Sequence, residues 1–141
     1  MKSVNTKPMH HKMLGRLGSA TLEMALTLII LVNVTYGTIE FGQYFYVKNQ
    51  FQGAAREGAR AGVPQGATTS DVTSAVTAVM NAAGISSSAY TVTSTNVTGT
   101  TGSQVTVTVS GTWSNLSIKY RPYSLIGSAK VVTGSAVMRK E

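Results

Sequence analysis

The sequence predicts an α+β protein, in which a long N-terminal helix spans a membrane and then packs on a small domain. That domain is expected to contain one short helix and an antiparallel sheet of three or four strands. Three observations carry the prediction: no proline occurs between Pro8 and Pro64, the run from Met24 to Ile39 is uncharged and mostly apolar, and apolar and polar residues alternate from Ala89 onward. A long apolar stretch favours a helix, whereas a period of two favours strands with one buried face.

Three segments are expected along the chain. They are a basic leader at residues 1–18, a long helix at 19–63 and a small extracytoplasmic α+β domain at 64–141. The helix divides into a membrane half at about 20–42 and an amphipathic half at about 43–62. The third segment is too short for a large core, and the chain has no cysteine to form a disulfide. The domain is therefore expected to bury apolar surface of the long helix.

The long helix is expected to begin near Ser19 or Ala20 and to end at about Gly62. At about 1.5 Å per residue it measures roughly 65 Å, about twice the ~30 Å hydrocarbon core of a bilayer, so half of it must leave the membrane. Inside the membrane half, Asn33 and Thr35 are expected to bond back to carbonyls of their own helix. The aromatic cluster expected at the outer boundary consists of Tyr36, Tyr44, Phe45 and Tyr46.

Positive charge is concentrated in the leader. The formal net charge of the chain is +7, and the cations that precede Gly18 are Lys2, Lys7, Lys12 and Arg16. Residues 1–17 lack apolar periodicity and are expected to be disordered or interfacial. A cationic flank before an apolar span predicts a cytoplasmic N-terminus and a domain on the other side of the membrane. Nucleic-acid binding is not expected, because no aromatic residue alternates with these cations.

Glu23 stands at the start of the apolar run, where a carboxylate loses hydration and needs a partner. Cleavage after Gly18 would supply one, since the new α-amino group of Ser19 is a cation about one helical turn away. The same amine would reach Glu23 of a neighbouring subunit if subunits stack with an axial stagger. A secretory signal peptide is the competing interpretation, but NVTYGTIEFGQ, at the end of the apolar run, has no A-x-A-like site. Cleavage before the apolar run therefore agrees better with the sequence than cleavage after it.

The segment from Gly18 to Glu23 resembles the type IV prepilin processing site, with a glycine before the cut and a glutamate as the fifth residue of the mature chain. IEFGQYF at 39–45 and AAREGARAGV at 54–63 look like the TadE-like pseudopilins of tight-adherence (Flp) pilus systems. The ending AVMRKE is also similar to that family. The resemblance covers both ends of the chain and the whole first helix.

This resemblance implies a type IV pilin-like fold and a non-enzymatic structural protein of pilus assembly, a TadE-like minor pilin cleaved by a prepilin peptidase after Gly18. The implied partners are that peptidase, other pilins or pseudopilins, the lipid bilayer and, indirectly, the inner-membrane platform and the assembly ATPase. The implied location is the bacterial inner membrane, as a single-pass protein, and an extracellular pilus after assembly. The resemblance leaves open whether the protein lies in the fibre, at its tip or in the basal complex.

The amphipathic half carries small residues on one side and Arg56 and Arg60 on the other, with Glu57 able to pair with Arg60. One interpretation is a helix packed on the sheet of its own domain with solvated arginines. The other is contact between the arginines and acidic groups of an adjacent subunit. On the second interpretation, the residues expected in subunit packing are Glu23, Glu40, Gly42, Ala54, Ala55, Arg56, Gly58, Ala59, Arg60 and Gly62.

Beyond Pro64 the pattern predicts a second helix with Thr69 or Ser70 as its N-cap and Asp71 in its first turn, ending at Gly84. Its apolar stripe consists of Val72, Val76, Val79, Met80 and Ala83.

The clearest strand is SQVTVTVSGTW at 103–113, which follows a turn at TGTTG and places its valines and Trp113 on one face. Tyr90 and Val92 indicate a strand before it. A continuation or third strand is expected at Leu116, Ile118 and Tyr120, broken at Arg121 and Pro122, with a final strand from Ser128 to Met138.

No catalytic or metal site can be assembled from the sequence. The only histidines are His10 and His11 in the leader, cysteine is absent, and the acids beyond Pro64 are Asp71 and Glu141. Neither an enzyme nor a cofactor is therefore expected. The alternative function is an uncleaved, single-pass membrane anchor that displays an extracytoplasmic binding module, for instance for a polysaccharide or peptidoglycan.

Overall fold

The computed structural model describes residues 10–117 and 125–141, and the side chains among them from residue 18 onward. The described elements are α1 (His10–Gly62), α2 (Thr69–Ala82), a single 3₁₀ turn (Ser87–Ala89), β1 (Thr91–Thr95), β2 (Gln104–Thr112), α3 (Trp113–Leu116) and β3 (Val131–Arg139). The three strands form one antiparallel sheet in the order β1-β2-β3. The α+β architecture, pilin-like with its long apolar helix, agrees with the prediction.

Helix α1 ends at Gly62, as predicted, because Pro64 disfavours helical backbone at the residue before it. It begins at His10, earlier than the expected start near Ser19 or Ala20. No proline lies between Pro8 and Pro64, so nothing in the covalent chain stops the helix from extending back through Gly18. Residues 10–17 are therefore helical and not disordered, while residues 1–9 lie outside the described part.

The chain divides into two compact units between Thr38 and Ile39. The first contains the apolar part of α1. The second contains the rest of α1, α2, α3 and the sheet, and it holds the hydrophobic core. That core consists of Val47, Phe51, Ala54, Ala55, Ala59, Val72, Val76, Met80, Val97, Val105, Val107, Val109, Trp113, Leu116 and Val132. The amphipathic half of α1 supplies five of these residues, so the small domain does bury apolar surface of the long helix.

The N-cap of α2 is Thr68, one residue before the expected Thr69 or Ser70. Thr68 and Asp71 form a reciprocal capping box: the Asp71 amide donates to the Thr68 hydroxyl at 3.3 Å, and the Thr68 amide donates to the Asp71 carboxylate at 2.8 Å. This exchange satisfies two donors that a helix start leaves open, which fixes the cap at Thr68. Of the predicted stripe, Val72, Val76 and Met80 are fully buried and Val79 packs half-buried against the core, whereas Ala83 is half-buried and outside it.

The capping box predicts a pH dependence of stability. The Thr68 hydroxyl, followed by the Thr68 amide, holds the pKa of Asp71 below its ordinary value. A carboxyl with a depressed folded pKa contributes stability above its unfolded pKa, near 4, and loses it as the pH falls through the folded pKa. Replacing Asp71 by alanine should therefore lower the melting temperature at pH 7, and the difference from the unsubstituted chain should shrink towards pH 2. An equal difference at both pH values would contradict this assignment.

The strand pattern is confirmed on β2, where Val105, Val107 and Val109 are fully buried on the inner face. The turn before β2 includes Gly102, whose φ of +87° lies in the left-handed region that favours glycine. The expected continuation at Leu116 is wrong. Leu116 lies on the short helix α3, where the Ser117 amide donates to the Trp113 carbonyl at 2.9 Å and closes a helical turn.

The other positions of the expected third strand, Ile118 and Tyr120, and its break at Arg121 and Pro122 lie outside the described residues. The final strand, expected from Ser128 to Met138, runs as β3 from Val131 to Arg139.

Candidate functional site

The apolar part of α1 in the first unit is exposed at every residue from Gly18 to Tyr36. Met24 exposes 73 % of its surface, Ile30 66 % and Val34 61 %. The helix from Gly18 to Gly62 is long and apolar enough to cross a membrane. A large apolar surface left open to solvent marks a segment that is covered by lipid or by protein.

Polar side chains within this apolar part bond to its own backbone. The Asn33 amide donates to the Ile29 carbonyl at 2.7 Å, and the Thr35 hydroxyl donates to the Leu31 carbonyl at 2.8 Å. The prediction for both residues is thereby confirmed. Thr27 and Thr38 make the same bond four residues back, to the Glu23 and Val34 carbonyls. These bonds satisfy the three threonine hydroxyl donors and one N–H of the Asn33 amide without water, which suits a lipid environment.

Gly18, Ser19 and Glu23 are all exposed and lie on continuous α-helix. A side chain added at Gly18 would meet no atom within 4 Å, so this glycine is not required by packing within the chain. Ser19 and Glu23 are four residues apart and therefore lie on the same side of the helix, about 6 Å apart along its axis. The structure thus presents all three predicted processing residues at the surface of one helical segment.

Glu40, expected in subunit packing, is buried, with 6 % of its surface exposed. Its carboxylate accepts hydrogen bonds from the Leu125 amide at 3.0 Å and the Ile126 amide at 3.1 Å. These bonds tie α1 to the chain that leads into β3. Sequence reasoning placed Glu40 near the membrane boundary but missed this role, because the partner amides lie 85 and 86 residues further along.

The small-residue side of the amphipathic half faces its own domain. Ala54, Ala55 and Ala59 expose none of their surface. A Cβ atom added at Gly58 would lie 2.6 Å from Val76 Cγ2, and one added at Gly62 would lie 3.0 Å from Val105 Cγ1. Helix α2 and the sheet occupy this side. This arrangement agrees with the interpretation in which the helix packs on the sheet of its own domain.

Three residues of the expected subunit-packing set remain at the surface of the second unit. Gly42 is exposed and has no atom within 4 Å of an added Cβ. Arg56 and Arg60 are also exposed. The predicted pairing of Arg60 with Glu57 is confirmed, with 2.6 Å between Arg60 Nη2 and Glu57 Oε1. Such an exposed pair adds little to stability.

The aromatic cluster divides between two environments. Tyr44 is half-buried and packs edge-on against Trp113, with ring centroids 5.5 Å apart. Tyr36, Phe45 and Tyr46 are exposed. The three exposed rings can therefore lie in a membrane interface, whereas Tyr44 contributes to the packing of the second unit.

Lys140 has a role that the sequence did not reveal. It exposes only 3 % of its surface, and its ammonium group donates to the carbonyls of Gly62 at 3.2 Å, Pro64 at 3.0 Å and Val97 at 2.5 Å. A cation suits the negative C-terminal end of a helix, so Lys140 caps α1 where Pro64 prevents its continuation. The alternation of apolar residues before Lys140 predicts that a strand ends there, but it does not predict contact between Lys140 and the end of α1.

Among the side chains described, no group of three or more histidine, aspartate or glutamate residues could hold a metal ion.

Residues 18–60 match a protein-family model described as TadE-like protein. The matched span begins at Gly18 and covers both the exposed apolar part of α1 and most of its buried half. No curated protein and no solved structure matches the chain.

Proposed function

We propose that this chain, whose residues 18–60 match the TadE-like family, is a minor pilin, or pseudopilin, of a tight-adherence Flp pilus system. Its role is structural and non-enzymatic, and a prepilin peptidase cleaves it after Gly18. The observation that carries the proposal is the exposed apolar helix with Gly18, Ser19 and Glu23 at its head, lying within the matched span.

The membrane part of the proposal rests on exposed surface and charge. Every large apolar side chain from Leu22 to Val34 that the structure describes is exposed, so burial in lipid removes a long apolar surface from water. The cations of the leader precede this surface in the sequence. Since cytoplasmic flanks carry excess positive charge, the N-terminus lies in the cytoplasm and the second unit outside the bacterial inner membrane.

Assembly would then replace lipid contacts by contacts with other pilins. In that setting Glu23 neutralises the new α-amino group of Ser19 in a neighbouring subunit, because both groups would otherwise be charged and poorly hydrated. Within the expected packing set, Gly42, Arg56 and Arg60 are the residues of the second unit that are exposed and so available to a neighbour. The wider partners are the prepilin peptidase, other pilins or pseudopilins and, indirectly, the platform and the assembly ATPase.

N-terminal sequencing and intact-mass measurement of the protein purified from its own cells test the cleavage. The expected mature chain starts at Ser19, and a Gly18→Ala variant should accumulate uncut. A Gly53→Ala variant is a matched control, because Gly53 is also a helical glycine with no atom within 4 Å of an added Cβ. A full-length native chain would overturn the proposal and favour an uncleaved anchor that displays a binding module.

Replacing Glu23 by alanine should leave membrane insertion intact and impair assembly. The apolar helix is unchanged, but each ~1.4 kcal/mol of lost pairing lowers an association constant about tenfold. We expect at least about tenfold less protein in sheared pili, measured by immunoblot against the membrane fraction. Glu57→Ala is the control, since Glu57 pairs with Arg60 of its own chain. Normal pilus incorporation of Glu23→Ala would contradict the pairing role.

A further inference from the structure

The β1 edge of the sheet has unpartnered backbone groups. The carbonyl of Lys130, the residue before β3, accepts from the Trp113 amide at 2.7 Å. In the antiparallel register this bond fixes which residue pairs along β2 are hydrogen-bonded. By that alternation β1 bonds to β2 through Thr91, Thr93 and Thr95. The amides and carbonyls of Val92 and Ser94 then point away from β2. Among the described residues, no hydrogen bond to these groups is found.

The opposite edge of the sheet, along β3, is covered by side chains of α1. Gln52 Nε2 donates to the Ser135 carbonyl at 2.6 Å, and the Ser135 amide donates to Gln52 Oε1 at 3.4 Å. Lys48 Nζ donates to the Thr133 carbonyl. A side-chain amide that bonds both backbone groups of Ser135 occupies the place of a neighbouring strand. Lysine and covering side chains are recognised means of preventing edge-to-edge pairing.

Within residues 10–117 and 125–141, no side chain is found to bond the β1 edge in this way. Its sequence, TVTST, contains no proline, lysine or other charge, and no charged side chain occurs anywhere from Val72 to Ile118. Thr91, Thr93 and Thr95 are exposed on the outer face of the sheet. A neutral strand with an open edge can accept another strand without desolvating or opposing a charge.

We propose that the β1 edge is a contact surface for β1 of a second copy of this chain. An antiparallel pair centred on Thr93 places Val92 opposite Ser94 of the other copy, and Ser94 opposite its Val92. These two pairs exchange four backbone hydrogen bonds, because the residues involved are those whose backbone groups point outward. The covered β3 edge of a second copy cannot serve in this way, which leaves β1 as the complementary strand.

The resulting contact is isologous: each copy offers the same strand, and the two three-stranded sheets become one of six strands. Such a contact closes on itself, so it produces a pair and not a filament. It does not depend on the proposed pilus function, because an uncleaved membrane anchor would carry the same edge.

A single cysteine at position 93 tests the contact, since the chain has no cysteine of its own. Thr93 faces its symmetry mate as a non-hydrogen-bonded pair, with Cα atoms about 4.5 Å apart, which is within disulfide range. The full-length Thr93→Cys protein, oxidised with copper phenanthroline in detergent micelles, should form at least about tenfold more disulfide dimer than Val137→Cys. Val137 is a matched control, 54 % exposed on the covered strand β3. Equal cross-linking of the two variants would overturn the proposal.

A second variant separates this contact from association through the apolar helix. Thr93→Lys keeps the exposed position but brings two like charges together at the centre of the pair. Its dimer fraction, from light scattering coupled to size exclusion, should fall at least about tenfold relative to Val137→Lys, while tryptophan fluorescence shows an unchanged fold. A dimer fraction equal to that of Val137→Lys would also overturn the proposal.

Discussion

Replacing Gly134 by alanine is expected to disrupt the second unit more than any other single-methyl change described. A Cβ atom at position 134 would lie 2.3 Å from the Phe51 carbonyl carbon, 2.4 Å from the Phe51 oxygen and 2.6 Å from the Gln52 nitrogen. These are backbone atoms of α1, which cannot turn aside as a side chain can. The new methyl group would therefore push α1 away from β3 and loosen the buried Phe51.

Overpacking of this kind costs about 1–3 kcal/mol, and more where backbone must move, so we expect a loss of about 3 kcal/mol or more. For a domain of this size the melting temperature should fall by more than about 10 °C. The measurement is thermal unfolding of the full chain in detergent, followed by fluorescence of Trp113, the single tryptophan, which is fully buried in the second unit. The apolar part of α1 does not contribute to that signal.

Gly53→Ala is the matched control, since an added Cβ there meets no atom within 4 Å. Alanine is a better helix former than glycine, so this variant should unfold at the same temperature or higher. A Gly134→Ala protein as stable as the Gly53→Ala protein would show that α1 and β3 are further apart than described.

Replacing Lys140 by methionine is expected to lower the free energy of unfolding by about 2 kcal/mol or more. The variant keeps the length of the side chain but leaves the carbonyls of Gly62 and Val97 without the ammonium donor. The Pro64 carbonyl also loses Lys140 but still accepts from the Ala67 amide at 3.2 Å. Removal of a buried ammonium also removes its desolvation penalty, which opposes the loss. We expect the loss to dominate, because the two buried carbonyls of Gly62 and Val97 both depend on this one ammonium group.

The measurement is denaturant unfolding of the full chain in detergent, again followed by Trp113 fluorescence. Lys130→Met is the control, because Lys130 is exposed and its side chain should contribute within about 0.5 kcal/mol. Equal midpoints for the two variants would mean that desolvation cancels the hydrogen bonds of Lys140.

Much of the fold could be predicted because it depends on periodicity. The stripe of Val72, Val76 and Met80 on α2 and the alternation of Val105 and Val107 on β2 each follow from one local pattern. The end of α1 followed from Pro64. The resemblance at Gly18–Glu23 and at 54–63 likewise lies within short stretches, and the matched family span begins at the same glycine.

The features that could not be predicted depend on partners distant in the sequence. Glu40 bonds amides 85 and 86 residues away, and Lys140 bonds carbonyls 43, 76 and 78 residues away. The shift of the cap to Thr68 has a different cause, since three adjacent polar residues each offer a hydroxyl and the choice depends on the geometry of Asp71. The early start of α1 shows that a cationic segment can still be helical.

The absence of charge from Val72 to Ile118 has a consequence for the outer face of β1 and β2. Threonine and serine hydroxyls do not ionise between acid and mildly alkaline conditions, and ionic screening acts only on charges. The side chains of β1 and β2 on this face carry hydroxyl and methyl groups and, at Gln104, one amide. A partner that contacts only these uncharged side chains should therefore bind with an affinity that changes little with ionic strength or pH.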